Sequence, residues 1–369
     1  MKEKICFIFN CAPHYRENIY KRIDNSFDCD FYFGDFKTVK LMNVRVLKHF
    51  KAFLRNVVFS PKLYWQRGVL SLAFKPYKKY LMSADVTCFT NYLLWLLIKI
   101  QPNKRLVFWG HGATGKEGKL RFLLSIYMLW CCDKFMTYGN YARNILINKG
   151  IDENKLITIY NSLDYDKQLG VRQGLVVSNI YKNHFGNDNL NLIFIGRLTP
   201  QKKLSQVLEA INLLKSRGTN VNMTFIGTGD MQQDLELIVQ KYDISSNVNF
   251  YGACYDEAII ADHLYNADLC VSPGNIGLTA MHSLMYGCPA ITHSDFKWQM
   301  PEFEAITEGV TGSFFEKDSV QSLASKIENW MEYAKNNREQ IRRECFKEID
   351  SRWNPQNQIE IIKDVLNNI

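Results

Sequence analysis

Two cations follow the end of a short apolar run. In Gly196-Arg197-Leu198-Thr199-Pro200-Gln201-Lys202, a glycine closes Ile193-Phe194-Ile195, an arginine comes next, and a lysine arrives five residues later where a helix can begin. Arginine offers a fork of donors and lysine a point charge; held beside a helix N-terminus, the pair makes a diphosphate site. A second stretch, Gly274-Asn275-Ile276-Gly277-Leu278-Thr279, heads a helical pattern running to Met285. Its backbone N–H groups and the helix dipole favour phosphate or sugar oxygens. His282 falls on the first turns of that helix, and His111 stands between Gly110 and Gly112 at the end of the strand-like run Lys104–Trp109. Each reads either as a site residue or as an ordinary histidine of its element. Asp28-Cys29-Asp30 has a spacing that can hold a divalent metal, but it lies in the alternating run Phe27 to Phe33 and reads as structural.

The elements that must position these groups alternate in type. Ile193–Ile195, Met223–Ile226, Val248–Tyr251 and Leu269–Val271 read as buried strands ending at Gly196, Gly227, Gly252 and Pro273, each followed by a helical pattern. Strand, tight turn and helix in repetition mark an α/β protein with a parallel sheet, whose ligands sit beyond the carboxyl ends of the strands. Ile5 to Phe9 starts a similar unit. The loop after it, with Pro13, His14, Tyr15 and Arg16, leads to a helix over about Glu17–Ile23 and reads as a ligand contact or as a plain connection. Periodicity weakens over 168–189, which separates a first domain, 1–170, from a second, 190–350, with a last helix over 351–369. Val86 to Ile100 reads as a buried helix rather than a membrane span, and 319–333 and 338–349 read as two helices.

Charge is unevenly spread. Residues 1–170 hold 27 Lys and Arg against 13 Asp and Glu, a charge of +14, while the remainder carries −6, for a total of +8. Lys37 to Ser83 contains 11 basic residues, many aromatics and no Asp or Glu, and its apolar residues recur at roughly helical spacing from Val44 to Phe59. A cationic amphipathic helix of this kind suits an anionic membrane surface. Nucleic acid is not expected, because no nucleic-acid-binding signature accompanies the charge. The 10 cysteines form no Cys-x-x-Cys pair and no zinc spacing, and are expected reduced in a cytosolic chain. The start of the chain runs straight into a strand, so no signal peptide is expected.

Gly-Arg-Leu-x-Pro-x-Lys at 196–202, Phe-Ile-Gly-x-Gly at 225–229, Gly-Leu-Thr-Ala-Met-His-Ser-Leu-Met-Tyr-Gly at 277–287, Glu304-Ala305-Ile306 and Gly309-x-Thr311-Gly312 occur in one order. Together they resemble glycosyltransferase family 4, the retaining nucleotide-sugar transferases of GT-B fold. The resemblance implies two Rossmann-like doubly wound domains facing across a cleft. It implies Arg197 and Lys202 on the donor diphosphate and His111 near the reacting sugar carbon. The implied donor-binding set is Gly196, Gly227, Gly229, Gly274, Asn275, Ile276, Gly277, Leu278, Thr279 and His282, with Pro13, His14, Tyr15 and Arg16 on the acceptor side. No metal and no cofactor is implied; the nucleotide-sugar is a co-substrate. One departure stands out. The two glutamates usual in the family should fall at Gly274 and His282. The function so implied is transfer of a sugar from a UDP- or GDP-sugar to a lipid-linked glycan, for capsule, O-antigen or similar polysaccharide, on the cytoplasmic face of the plasma membrane. The alternative is a catalytically inactive GT-B protein that binds a glycan or scaffolds a partner.

Overall fold

The computed structural model describes residues 3–36, 40–60 and 63–369. Lys37 and Lys62 of the basic segment lie outside the described residues. The chain forms two compact units, Met1–Tyr165 with Asn354–Ile369, and Asp166–Trp353.

In the first unit the elements run β1 (Ile5–Phe9), α1 (Glu17–Ser26), β2 (Cys29–Gly34), β3 (Phe50–Leu54), β4 (Asn56–Ser60), β5 (Leu63–Gln66), β6 (Lys79–Ser83), α2 (Phe89–Lys99), β7 (Arg105–Gly110), α3 (Lys119–Cys131), β8 (Lys134–Thr137), α4 (Asn140–Asn148) and β9 (Leu156–Thr158). Seven strands pair in parallel in the order β3-β2-β1-β6-β7-β8-β9. Every residue of β1 and β2 is buried, as a parallel sheet covered on both faces requires. The order reverses between β1 and β6, and that switch point opens a crevice at their carboxyl ends.

The expected amphipathic helix over Val44–Phe59 is not there. A 3-10 turn at Val44–Val46 leads into β3 and β4, and β4 pairs antiparallel with β5 as a hairpin. The stretch is rich in Phe and Val, which suit a pleated surface. In β3, Phe50, Ala52 and Leu54 turn inward while Lys51 and Phe53 face out, a period of two. β3 also completes an edge of the sheet, with Phe50 opposite Phe31. Asp30, in the Asp-x-Asp stretch, is buried and accepts from Tyr77 Oη at 2.6 Å and pairs with Lys4 at 3.0 Å, a structural arrangement.

The second unit runs α5 (Tyr165–Arg172), α6 (Ile180–Phe185), β10 (Leu190–Ile195), α7 (Ser205–Ser216), β11 (Val221–Ile226), α8 (Gln232–Lys241), β12 (Val248–Gly252), α9 (Glu257–Asn266), β13 (Leu269–Val271), α10 (Leu278–Met285), β14 (Ala290–His293), β15 (Gly312–Phe315) and α11 (Val320–Ser351). Its six parallel strands take the order β12-β11-β10-β13-β14-β15, with the switch point between β10 and β13. The two helices expected over 319–349 are one, α11, capped by Ser319, whose Oγ accepts the Ser322 N–H at 3.1 Å. The polar stretch Lys335-Asn336-Asn337 interrupts the apolar pattern, but it holds neither Gly nor Pro, so nothing there ends a helix. The final helix, α12 (Pro355–Asn367), belongs to the first unit, where Ile359, Ile362, Val365 and Leu366 share a core with Ile19, Tyr20 and Ile23 of α1.

Candidate active site

At the switch point of the second unit, the loop after β10 and the loop after β13 are built against each other. Gly227, at the end of β11, lies so close to the first loop that a Cβ there would sit 1.9 Å from Gly196 O, and at Gly229 a Cβ would sit 2.3 Å from Leu198 O. These glycines let the backbone press in behind Arg197. Arg197 itself is exposed, and its side chain makes no hydrogen bond or ion pair among the described residues.

Lys202 is half-buried and turns onto the second loop. Its ammonium donates to Asn275 O at 2.6 Å, Asn275 Oδ1 at 3.1 Å and Ile276 O at 3.4 Å. Burial lowers its pKa to about 8; the Glu302 carboxylate opposes that shift and the Arg197 charge adds to it. Lys202 therefore remains mostly cationic at neutral pH and holds the Asn275–Ile276 backbone in place.

That loop has a second anchor that sequence reasoning missed. Gln299 is buried; its Oε1 accepts the Ile276 N–H at 2.9 Å, and its Nε2 donates to Thr292 Oγ1 at 2.8 Å, His293 O at 3.2 Å and Gly274 O at 3.3 Å. Nothing about a lone glutamine in the sequence marks this role, because its partners come from two separated stretches, 274–276 and 292–293. Gly277, with φ of +53° and ψ of −142°, then turns the chain into α10. The amides of Gly277, Leu278 and Thr279 open that helix and have no carbonyl a turn earlier to meet. The Thr279 hydroxyl does not face outward for a ligand: it donates to Ile195 O at 2.9 Å.

His282 lies farther along α10. Its Nδ1 is 3.3 Å from Gln168 Nε2 and 3.8 Å from Glu257 Oε1, and Glu257 Oε1 also accepts from Gln168 Nε2 at 2.9 Å and Tyr286 Oη at 2.6 Å. Burial lowers the His282 pKa, with Glu257 pulling the other way. His282 thus has a carboxylate beside it, supplied by α9.

The first unit has its own cavity, about 360 Å³, at the β1/β6 switch point. Pro13, Tyr15, Arg16 and His111 line it, joined by Asn10, Asp85 and Trp109. His14 does not; its ring Nδ1 lies 3.1 Å from Lys40 O, in a separate hollow. The His111 ring packs 4.8 Å from that of Tyr138, and its pKa is held below the ordinary histidine value by burial first and by the Arg16 charge second. Its outer edge stays open to water, so burial acts on only part of the ring. Among the described residues one trio, Asp24, Cys29 and His49, could share a cation. Asp24 already accepts from Lys48 N at 2.7 Å and His49 N at 3.1 Å, which fixes the start of β3.

Residues 179–347 match the family described as Glycosyl transferases group 1. That match covers most of the second unit. The chain is 27% identical over 227 residues to a glycogen synthase of Hydrogenovibrio crunogenus, covering 53% of this chain and 46% of that protein. It is 26% identical over 183 residues to an uncharacterised 41.2 kDa protein in the cps region of Klebsiella pneumoniae, covering 49% and 47%. The match therefore spans about half the length of these relatives. HepE of Anabaena, solved in complex with UDP, superimposes with a TM-score of 0.71 at 14% identity, over 99% of this chain and 100% of that one. That likeness establishes the fold as GT-B, two Rossmann-like α/β units. Within the second unit, the Lys202 ammonium ties the loop after β10 to the loop that leads into α10.

Proposed function

We propose that this protein is a retaining glycosyltransferase that moves a sugar from a UDP- or GDP-sugar to a lipid-linked glycan. The observation that carries the reading is the unpaired, exposed Arg197 beside cationic Lys202 at the β10/β13 switch point of the unit that matches the group 1 family. When the anomeric C–O bond breaks, negative charge builds on the β-phosphate. Arg197, Lys202 and the first amides of α10 supply preorganised positive charge for it, which is how such sites lower a barrier. No metal and no cofactor is assigned a part. The acceptor hydroxyl forms the new bond on the face the nucleotide leaves, and its proton passes to the departing phosphate, so no protein base is required. His111, kept neutral, is the candidate contact to the donor sugar.

A role in surface polysaccharide synthesis is supported by the Klebsiella relative's place in a cps region, and the UDP in HepE supports a nucleotide-sugar donor. No helix among the described residues is long and apolar enough to cross a membrane. Peripheral attachment at the cytoplasmic face of the plasma membrane is proposed instead through the β4–β5 hairpin, where Val58, Phe59 and Leu63 are exposed amid the basic segment. The inactive-scaffold reading draws on Gly274, where no carboxylate can be housed; an unpaired Arg197 has no purpose under it. Thermal-shift screening of UDP-, GDP-, dTDP- and CMP-sugars, followed by donor turnover with the ligand that binds, tests the assignment. A binding donor that is turned over supports transfer. Binding without turnover, with or without acceptor lipid, supports the scaffold.

A further inference from the structure

The cavity of the first unit contains a cation, Arg16, with no paired carboxylate among the described residues. The Arg16 guanidinium lies 4.9 Å from the ring centre of Trp109 and 5.0 Å from that of Tyr138, an arrangement that orients it beside the buried Tyr20 hydroxyl, to which it hydrogen-bonds. Its Nε is buried and has no hydrogen-bond partner among the described residues. Two carboxylates line the same cavity, and both are committed elsewhere. Asp85 accepts from Thr87 Oγ1 at 2.6 Å, Tyr64 Oη at 2.8 Å, Thr87 N at 2.9 Å and Asn10 Nδ2 at 3.2 Å. Glu117 accepts from Thr114 N at 2.5 Å, Thr114 Oγ1 at 2.7 Å and Gly115 N at 3.0 Å. Leaving a buried donor unmet is costly, and the fork geometry of a half-buried guanidinium matches phosphate or carboxylate oxygens.

We propose that this cavity binds an oxyanion of the acceptor through Arg16, so that the accepted substrate is a phosphorylated or carboxylate-bearing saccharide rather than a neutral one. The anion site stands on the cavity's own geometry; assigning the anion to the acceptor rests on the transferase reading. The anion's source is either a phosphate on the acceptor or an acid on its sugar, and the donor diphosphate is the competitor to be separated from both.

The test uses the full chain with UDP present to occupy the donor site. Inorganic pyrophosphate and methyl glucuronoside are titrated by calorimetry, with methyl glucoside as the neutral control. Whichever of the two anions binds identifies the source, phosphate or uronic acid. Its affinity should fall at least about tenfold in Arg16→Gln, be partly kept in Arg16→Lys, and be unchanged in Arg197→Gln, by the usual worth of a charged hydrogen bond. Without mutation, the bound anion should offset the Arg16 charge and raise the titration midpoint of the His111 ring, read by NMR. No anion binding, binding lost in Arg197→Gln but kept in Arg16→Gln, or an unmoved His111 midpoint overturns the proposal. Because these readouts need no turnover, a chain that binds the anion yet transfers no sugar would sink the transferase reading and leave the site standing.

Discussion

Gly274 and Lys202 are locked backbone to backbone. The Gly274 N–H donates to Lys202 O at 2.9 Å, and a Cβ at 274 would lie 2.7 Å from Lys202 Cα and 1.9 Å from Gln201 O. A glutamate at 274 would therefore not be a simple exchange of side chains. The space a side chain would need is occupied by the loop that carries the lysine. Gly274→Ala should cost about 2–4 kcal/mol by forcing the backbone apart, and Gly274→Glu should not recover a family-like site. Denaturant melts beside UDP titration check this; a stable Gly274→Glu chain with tighter UDP binding would refute it.

Arg197 and Lys202 should separate in stability while agreeing in catalysis. Each alanine variant should lose at least about 100-fold in turnover, the usual loss for one charge-stabilising donor. Arg197→Ala should melt like the wild type, since its side chain is exposed and unpaired. Lys202→Ala strips a donor from Asn275 O, Asn275 Oδ1 and Ile276 O and should cost about 1–3 kcal/mol. Near-normal turnover in both would reject the diphosphate role.

The lowered pKa of Lys202, about 8, sets a pH limit on donor binding. If only the ammonium grips phosphate, UDP affinity should drop about tenfold from pH 7 to pH 9, and Lys202→Arg should flatten the profile. Stability moves the other way. The folded pKa lies below the ordinary lysine value of 10.5, so the unfolded chain holds the extra proton between about 8 and 10.5. The cost of burying the charge, present below 8, fades as pH rises through that window.

His282 and Glu257 should be coupled. His282→Glu would set two carboxylates where His282 Nδ1 and Glu257 Oε1 now stand 3.8 Å apart. Like charges so close cannot both ionise cheaply. The single variant should bind UDP more weakly and melt earlier, and Glu257→Gln added to it should recover part of both, a coupling of about 0.5–3 kcal/mol in a double-mutant cycle. Additive effects would mean the two residues act independently.

Membrane contact, if the hairpin makes it, should follow charge and apolar surface together. Arg55 and Arg67 sit at the hairpin base, joined by Arg67 N donating to Arg55 O at 2.9 Å, and Phe59 is 66% exposed. Anionic vesicles should float the protein at low salt. Arg55→Gln with Arg67→Gln should weaken that about 30-fold, at about 1 kcal/mol for each charge, and Phe59→Ser should weaken it further. Absence of flotation at low salt would dismiss the membrane reading.

Local pattern was enough to read the two parallel sheets and the switch-point loops, because a fully buried strand must be a short apolar run and the glycine after it must make room for a turn. Ile5–Phe9, Ile193–Ile195 and Met223–Ile226 all lie in strands of the sheets. The helix expected over Val44–Phe59 failed for the complementary reason: helical spacing and alternation overlap in a stretch dense with Phe and Val, and the need of β2 for an edge partner decided between them. Residue types and spacing by themselves determined that cations and helix-opening amides would stand at strand ends. Only the tertiary structure decided what each is doing there. Lys202 is tied to a loop about 70 residues away, Gly274 is closed by backbone, Glu257 stands beside His282, and Arg16 lacks the carboxylate that two nearby acids could have supplied. Those relations depend on which distant backbones approach within a few ångströms, and spacing along the chain does not encode distance across it.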